Sequence, residues 1–72
     1  MLIKLDQIDA SRLVSAGAVE FYVRHRLRAG RKFPPLHVGF RVNDGRYSLI
    51  DGTNRYWAAR REGLTELECE LV

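Results

Sequence analysis

The segment LHVGFRVNDGRYSLI, Leu36 to Ile50, is the strongest constraint on the fold. Leu36, Val38, Phe40 and Val42 fall on one side and His37, Gly39 and Arg41 on the other, the period-two alternation of a half-buried strand. Asn43-Asp44-Gly45 is a hairpin turn, and RYSLI is the returning strand. The middle of the chain is therefore an antiparallel pair, and everything else must pack around it.

On the N-terminal side, LIKL reads as a short strand and DQIDASR as a polar connection. The stretch from Val14 to Ala29 is predicted helical. Val19, Tyr22, Val23 and Leu27 keep the i, i+3, i+4, i+8 spacing of one buried face, with Arg24 and Arg28 pointing away from it. Glu20 and Arg24 form an i,i+4 pair, Gly30 stops the helix, and the prolines of RKFPP forbid its continuation. On the C-terminal side, DGTNR opens a second helix that ends at Gly63, and TELECELV is a last strand with Leu67, Cys69 and Leu71 inward and three glutamates outward. The order is β-α-β-β-α-β, with a hairpin at Asn43–Gly45, in a single α+β domain of residues 1–72. The same order also suits a ferredoxin-like split βαβ pair. In YWAA the apolar residues are consecutive, so periodicity does not say which of them face the sheet; paired alanines would let the helix lie close to it, with Trp57 as its anchor.

A chain of 72 residues buries little surface, so any real pocket is expected at a helix N-terminus or between subunits. The single Cys69 cannot form an internal disulfide, and no stretch could span a bilayer; a cytoplasmic protein with no membrane partner is expected. His25 and His37 lack partners at ligand spacing, so no protein-built metal site is expected.

The candidate site is the start of the second helix. Gly52 tolerates a positive φ and lets a ligand approach the backbone, Thr53 and Asn54 offer a hydroxyl and an amide, and Arg55 adds a fork of donors. The same parts also make an ordinary helix cap, with Asp51 or Thr53 accepting the free N–H groups. Asp51 is also the best single candidate for a general base or a magnesium partner.

With its preceding helix and RKFPPL exit, the stretch Val14 to Val72 resembles the ParB/sulfiredoxin superfamily, the ParB N-terminal-like domain. Its most specific element is D-G-x-x-R followed by an aromatic, paired alanines and a Gly-Leu turn: Asp51, Gly52, Arg55, Tyr56, Ala58, Ala59, Gly63 and Leu64. The resemblance implies a nucleotide, CTP or ATP with magnesium, whose phosphates meet Gly52, Thr53, Asn54 and Arg55, with Pro35 and Leu36 lining the nucleotide edge. Partition proteins of this type resemble CTP-dependent DNA clamps, sulfiredoxins use ATP, and small relatives include free-serine kinases and nucleases. The chain departs from both larger groups. Sulfiredoxins carry G-C-H-R here, and Thr53 replaces the reactive cysteine, so sulfiredoxin chemistry is not expected. Partition proteins carry G-E-R-R, which Thr53 and Asn54 alter.

Ten of the twelve basic residues are arginine, and Arg24, Arg26, Arg28, Arg31 and Lys32 crowd into nine positions. Arg24, Arg28, Arg31 and Lys32 could track a DNA backbone, and Arg31 and Lys32 a triphosphate tail; the plain alternative is a solvated helix face. The expected function is a nucleotide- or phosphate-binding module, regulatory or nucleic-acid-associated, working as a homodimer or with a larger partner. The alternatives are a magnesium-dependent phosphotransfer enzyme or nuclease using Asp51, and a ligand-free interaction module.

Overall fold

The computed structural model describes all residues, 1–72. Five strands and two helices run in the order β1 (Leu2–Lys4), β2 (Ile8–Asp9), α1 (Ala16–Tyr22), β3 (Leu36–Phe40), β4 (Tyr47–Asp51), α2 (Thr53–Arg61) and β5 (Glu66–Leu71). The sheet order is β1-β5-β3-β4-β2. β5 inserts between β1 and β3, antiparallel to the first and parallel to the second, and β2 lies parallel to β4 at the far edge. With β1 at an edge, the ferredoxin-like arrangement, whose first strand is central, is excluded.

The hairpin, both helices and the last strand form where the sequence places them, with corrections of detail. DQIDASR is not only a connection. Ile8 and Asp9 pair with Tyr47 and Ser48, and Ile8 is buried, so a single isoleucine carries this short strand into the core. The first helix starts at Ala16, because Ser15 accepts the Ala18 N–H and so caps it, and from Val23 to Leu27 it widens into a π turn. Of the alternating apolar residues Leu36 and Val38 are covered; Phe40, at the end of β3, and Val42, beyond it in the turn, are exposed. Leu71, at the end of β5, is half exposed although it pairs with the buried Val38.

Two small cores result. Ile3, Leu5, Ile8, Leu36, Val38 and Cys69 meet Tyr56 and Ala59 of α2, while Val19 and Val23 of α1 meet Ala58. The consecutive apolar residues of α2 are thus divided between two neighbours, Ala59 toward the sheet and Ala58 toward α1. Tyr56, rather than Trp57, is the deep anchor on the sheet, and its hydroxyl donates to the Leu5 carbonyl at 3.1 Å. Trp57 stays half-buried beside the segment before α1, where its ring N–H donates to the Ser11 carbonyl at 2.7 Å. Exposed ion pairs tie the helices together, Arg61 with Glu20 and Arg28 with Glu62. No helix is long and apolar enough to cross a membrane.

Candidate functional site

The hairpin brings the candidate site together through an irregularity in its pairing. Phe40 faces Tyr47 and Val38 faces Leu49, but between Val38 and His37 the register slips, so His37 faces Asp51 rather than Ile50. At the end of β4 the chain turns on Gly52, whose φ of 109° and ψ of 22° suit glycine alone.

That turn is shaped from beneath by Arg55. Arg55 is buried, at 8% exposure, and donates through Nη1 to the carbonyls of Pro34 and Pro35, at 2.9 and 3.1 Å. The Asp51 carboxylate lies 3.5 Å from Nη2. A Cβ on Gly52 would fall 2.6 Å from Leu36 Cδ2 and 3.0 Å from Arg55 Nη2. Glycine is therefore required twice over, by its dihedral angles and by the side chains packed under it. Arg55 also gives the two prolines a structural purpose, because Pro34 and Pro35 hold out carbonyls that no helix or strand has taken up.

The first helical bond of α2 runs from the Tyr56 N–H to the Gly52 carbonyl, at 2.8 Å. The N–H groups of Thr53, Asn54 and Arg55 have no helical acceptor, as in the first turn of any helix. Gly52 has no side chain to cap them, and neither Asp51 nor Thr53 accepts from them; the simple-cap alternative is not what the chain builds. Instead the Asp51 carboxylate lies between Arg55 and His37, whose Nδ1 is 3.6 Å away. The Asn54 amide oxygen is committed elsewhere, accepting the Ser15 N–H at 3.1 Å and so joining the start of α1 to the start of α2. A shallow recess of about 250 Å3 opens over the free N–H groups, lined by Tyr22, Ile50, Asp51, Gly52, Thr53, Asn54 and Arg55.

The structure brings some of the sequence candidates together and separates others. Asp51 and Gly52 to Arg55 share the recess. Pro35 and Leu36 meet the loop from below and do not line it; Leu36 is fully buried. Arg31 and Lys32 line a different hollow, of about 540 Å3, between the α1 exit and the β1–β5 edge. Arg24 pairs with Glu20 at 2.7 Å, as its spacing predicts, and Arg28 with Glu62 at 2.9 Å, so both are less free to meet a phosphate than unpaired arginines. Tyr22, Ile50 and His37 were not candidates. Tyr22 reads in sequence only as part of an apolar stripe, and His37 reaches Asp51 only through the register slip. No group of three His, Cys, Asp or Glu side chains is placed to hold a metal ion.

Cys69 is buried in β5, where burial pushes its thiol above the usual range. It is the chain's only cysteine and sits away from the recess.

No protein-family model and no curated protein matches the chain. Solved structures do. The whole chain superposes on a free serine kinase in complex with AMP at a TM-score of 0.92 and 15% identity. It superposes on sulfiredoxin from Arabidopsis thaliana at 0.79 and 23%, covering 84% of that protein. It also matches SbnI with a C-terminal truncation from Staphylococcus aureus at 0.84 and 23%. The chain has the ParB/sulfiredoxin-like fold. It spans about three-tenths of the kinase and of SbnI, 30% in each case. In this ParB/sulfiredoxin-like domain the D-G-x-x-R segment is the hinge of the site: Asp51 ends a strand, Gly52 makes the turn, and Arg55 reaches back under it to the prolines.

Proposed function

We propose that the chain is a nucleotide- or phosphate-binding ParB-like module, holding phosphate at the start of α2. The observation that carries this is the uncapped first turn: the N–H groups of Thr53, Asn54 and Arg55 open onto a recess with no side chain accepting from them. Free N–H groups at the positive end of a helix favour an anion. The Thr53 hydroxyl and the Asn54 NH2 group add donors at the rim, and Arg55 acts as the strut that shapes the loop. Support also comes from the likeness to a kinase structure holding AMP and a mutant of it holding ADP.

Asp51 is the one carboxylate lining the recess. A magnesium ion brought by a nucleotide would find a single carboxylate there, which suits an ion that keeps most of its ligands as water and phosphate. This favours a second reading, phosphotransfer or nucleolytic cleavage with Asp51 as base or metal partner. Magnesium-dependent turnover lost in Asp51→Asn, in a variant that still melts cooperatively, supports it. No turnover with nucleotides, free serine or DNA removes it. A nucleic-acid role rests on Arg31 and Lys32, which have no carboxylate partner, more than on Arg24 and Arg28.

Thermal unfolding against AMP, ADP, ATP, CTP, GTP and inorganic phosphate, with and without magnesium, tests the main reading. A ligand at ~100 times its dissociation constant adds roughly 2.7 kcal/mol, and for so small a domain each kcal/mol moves the midpoint by roughly 4–8 °C. The informative variant is Thr53→Asp. A carboxylate in the first turn favours the helix by about 0.3–1 kcal/mol but repels phosphate, so the variant should melt no lower than the parent and lose the nucleotide shift. No shift with any of these ligands, or a shift that survives Thr53→Asp, rejects the site and leaves a ligand-free interaction module.

A further inference from the structure

A second cleft lies where the Ser11–Ser15 segment passes α1 and α2. It measures about 370 Å3 and is lined by Arg12, Val14, Ala16, Val19, Trp57 and Arg61. Its floor is aliphatic and aromatic, and its rim carries two guanidinium groups. The two cations differ. Arg61 is already paired with Glu20 at 2.6 Å, while Arg12 has no carboxylate partner and sits over the Trp57 ring at 5.8 Å from its centre. Beside the cleft Leu13 is 91% exposed, a large apolar side chain left in water.

We propose that this cleft docks an acidic segment of a partner protein, with an apolar side chain on the Val14–Ala16–Val19 floor and a carboxylate on Arg12. Charge complementarity selects the occupant. An unpaired guanidinium lying over an aromatic ring offers a fork that a carboxylate meets with two bonds. Trp and Arg beside a small apolar floor are the side chains that dominate interface energies. Nucleic acid fits less well. Arg12 lies over one face of Trp57 and the ring N–H is engaged with Ser11, so a base stacking on that face has to displace the guanidinium and gains no bond from the indole. Arg24 and Arg61 share the single carboxylate of Glu20, and Arg12 is the one unpaired guanidinium on the cleft, which falls short of the row of free cations that a phosphate backbone needs. The proposal does not depend on the phosphate recess, since the two share no lining residue.

Trp57 is the only tryptophan, so its emission reports directly on the cleft. The experiment selects random dodecapeptides on the immobilised parent protein after subtraction on Arg12→Glu, then titrates the enriched peptides by fluorescence. The expected peptides place Asp or Glu beside Leu, Phe or Trp. They shift the Trp57 emission saturably and bind about tenfold or more weakly to Arg12→Glu, equivalent to about 1.4 kcal/mol. Thr53→Asp leaves their binding unchanged. Arg12 is exposed, so its variant is expected to fold, which circular dichroism checks. The proposal is overturned by no enrichment over Arg12→Glu, by enriched peptides without carboxylates, or by binding that leaves Trp57 emission unmoved. A single-stranded oligonucleotide that saturates the Trp57 signal more tightly than any peptide also overturns it and reassigns the cleft to nucleic acid.

Discussion

Replacing Gly52 with alanine places a methyl group 2.6 Å from Leu36 Cδ2 and 3.0 Å from the Arg55 guanidinium. Two costs add. Holding a non-glycine residue in the left-handed region costs about 1–2 kcal/mol, and forcing an extra carbon into a packed site costs about 1–3 kcal/mol more. The surroundings decide where in that range the second cost falls. Leu36 is fully buried and Arg55 is pinned by two carbonyls, so neither can step aside cheaply. A loss of about 3–4 kcal/mol is expected, a large part of the stability of a domain this small. Gly63→Ala is the internal control: its φ is 79°, but nothing lies within 4 Å of the new methyl group, so it carries the backbone cost alone. Urea unfolding of both variants separates the two effects, because their difference is the crowding cost. Equal losses in the two variants would refute the claim that Arg55 and Leu36 support the loop from beneath.

Tyr56→Phe removes the donor to the buried Leu5 carbonyl and should cost about 1–3 kcal/mol, read as a lower denaturation midpoint; an unchanged midpoint would mean the hydroxyl is only filling space. Asp9 is held below the usual carboxylate range first by Arg46 and then by Arg41, and Glu20 first by Arg61 and then by Arg24. Groups with lowered folded-state values add stability above their unfolded values, and that stability disappears as pH falls through the folded values. The melting temperature should therefore be flat near neutrality and drop below about pH 4. Asp9→Asn should flatten part of that drop, and a profile that Asp9→Asn leaves unchanged would deny the pair any role.

Much of this architecture was legible in the sequence because short-range chemistry settled it. The hairpin followed from strict alternation and Asn43-Asp44-Gly45, and the helix stops from Gly30 and Gly63 with positive φ. What the sequence hid depended on distant partners. β2 is two residues long, and nothing in IDA announces a strand until Tyr47 and Ser48 lie alongside it. YWAA carried no period because two different neighbours divide it between them. The arginine run left a binding face and a solvated face both open; the Glu20–Arg24 pair was legible from its spacing, but the carboxylate that engages Arg28 comes from Glu62, 34 positions away.

Arg55 shows why the candidate site was only half readable. In sequence, a guanidinium one residue beyond Thr53-Asn54 looks like a hand extended to a phosphate. In the fold it points the other way, buried and bound to the Pro34 and Pro35 carbonyls. An Arg55→Ala variant that lost nucleotide binding would therefore say little about phosphate contact: it would also strand two carbonyls and empty the space beneath Gly52. Charge-assisted hydrogen bonds of this kind contribute about 1.5–3 kcal/mol each, enough to collapse the loop without any ligand. The test has to fall on a residue whose backbone faces the recess and whose side chain supports nothing. Thr53 is that residue, and a carboxylate there pushes helix stability and phosphate affinity in opposite directions, a signature that simple unfolding does not produce.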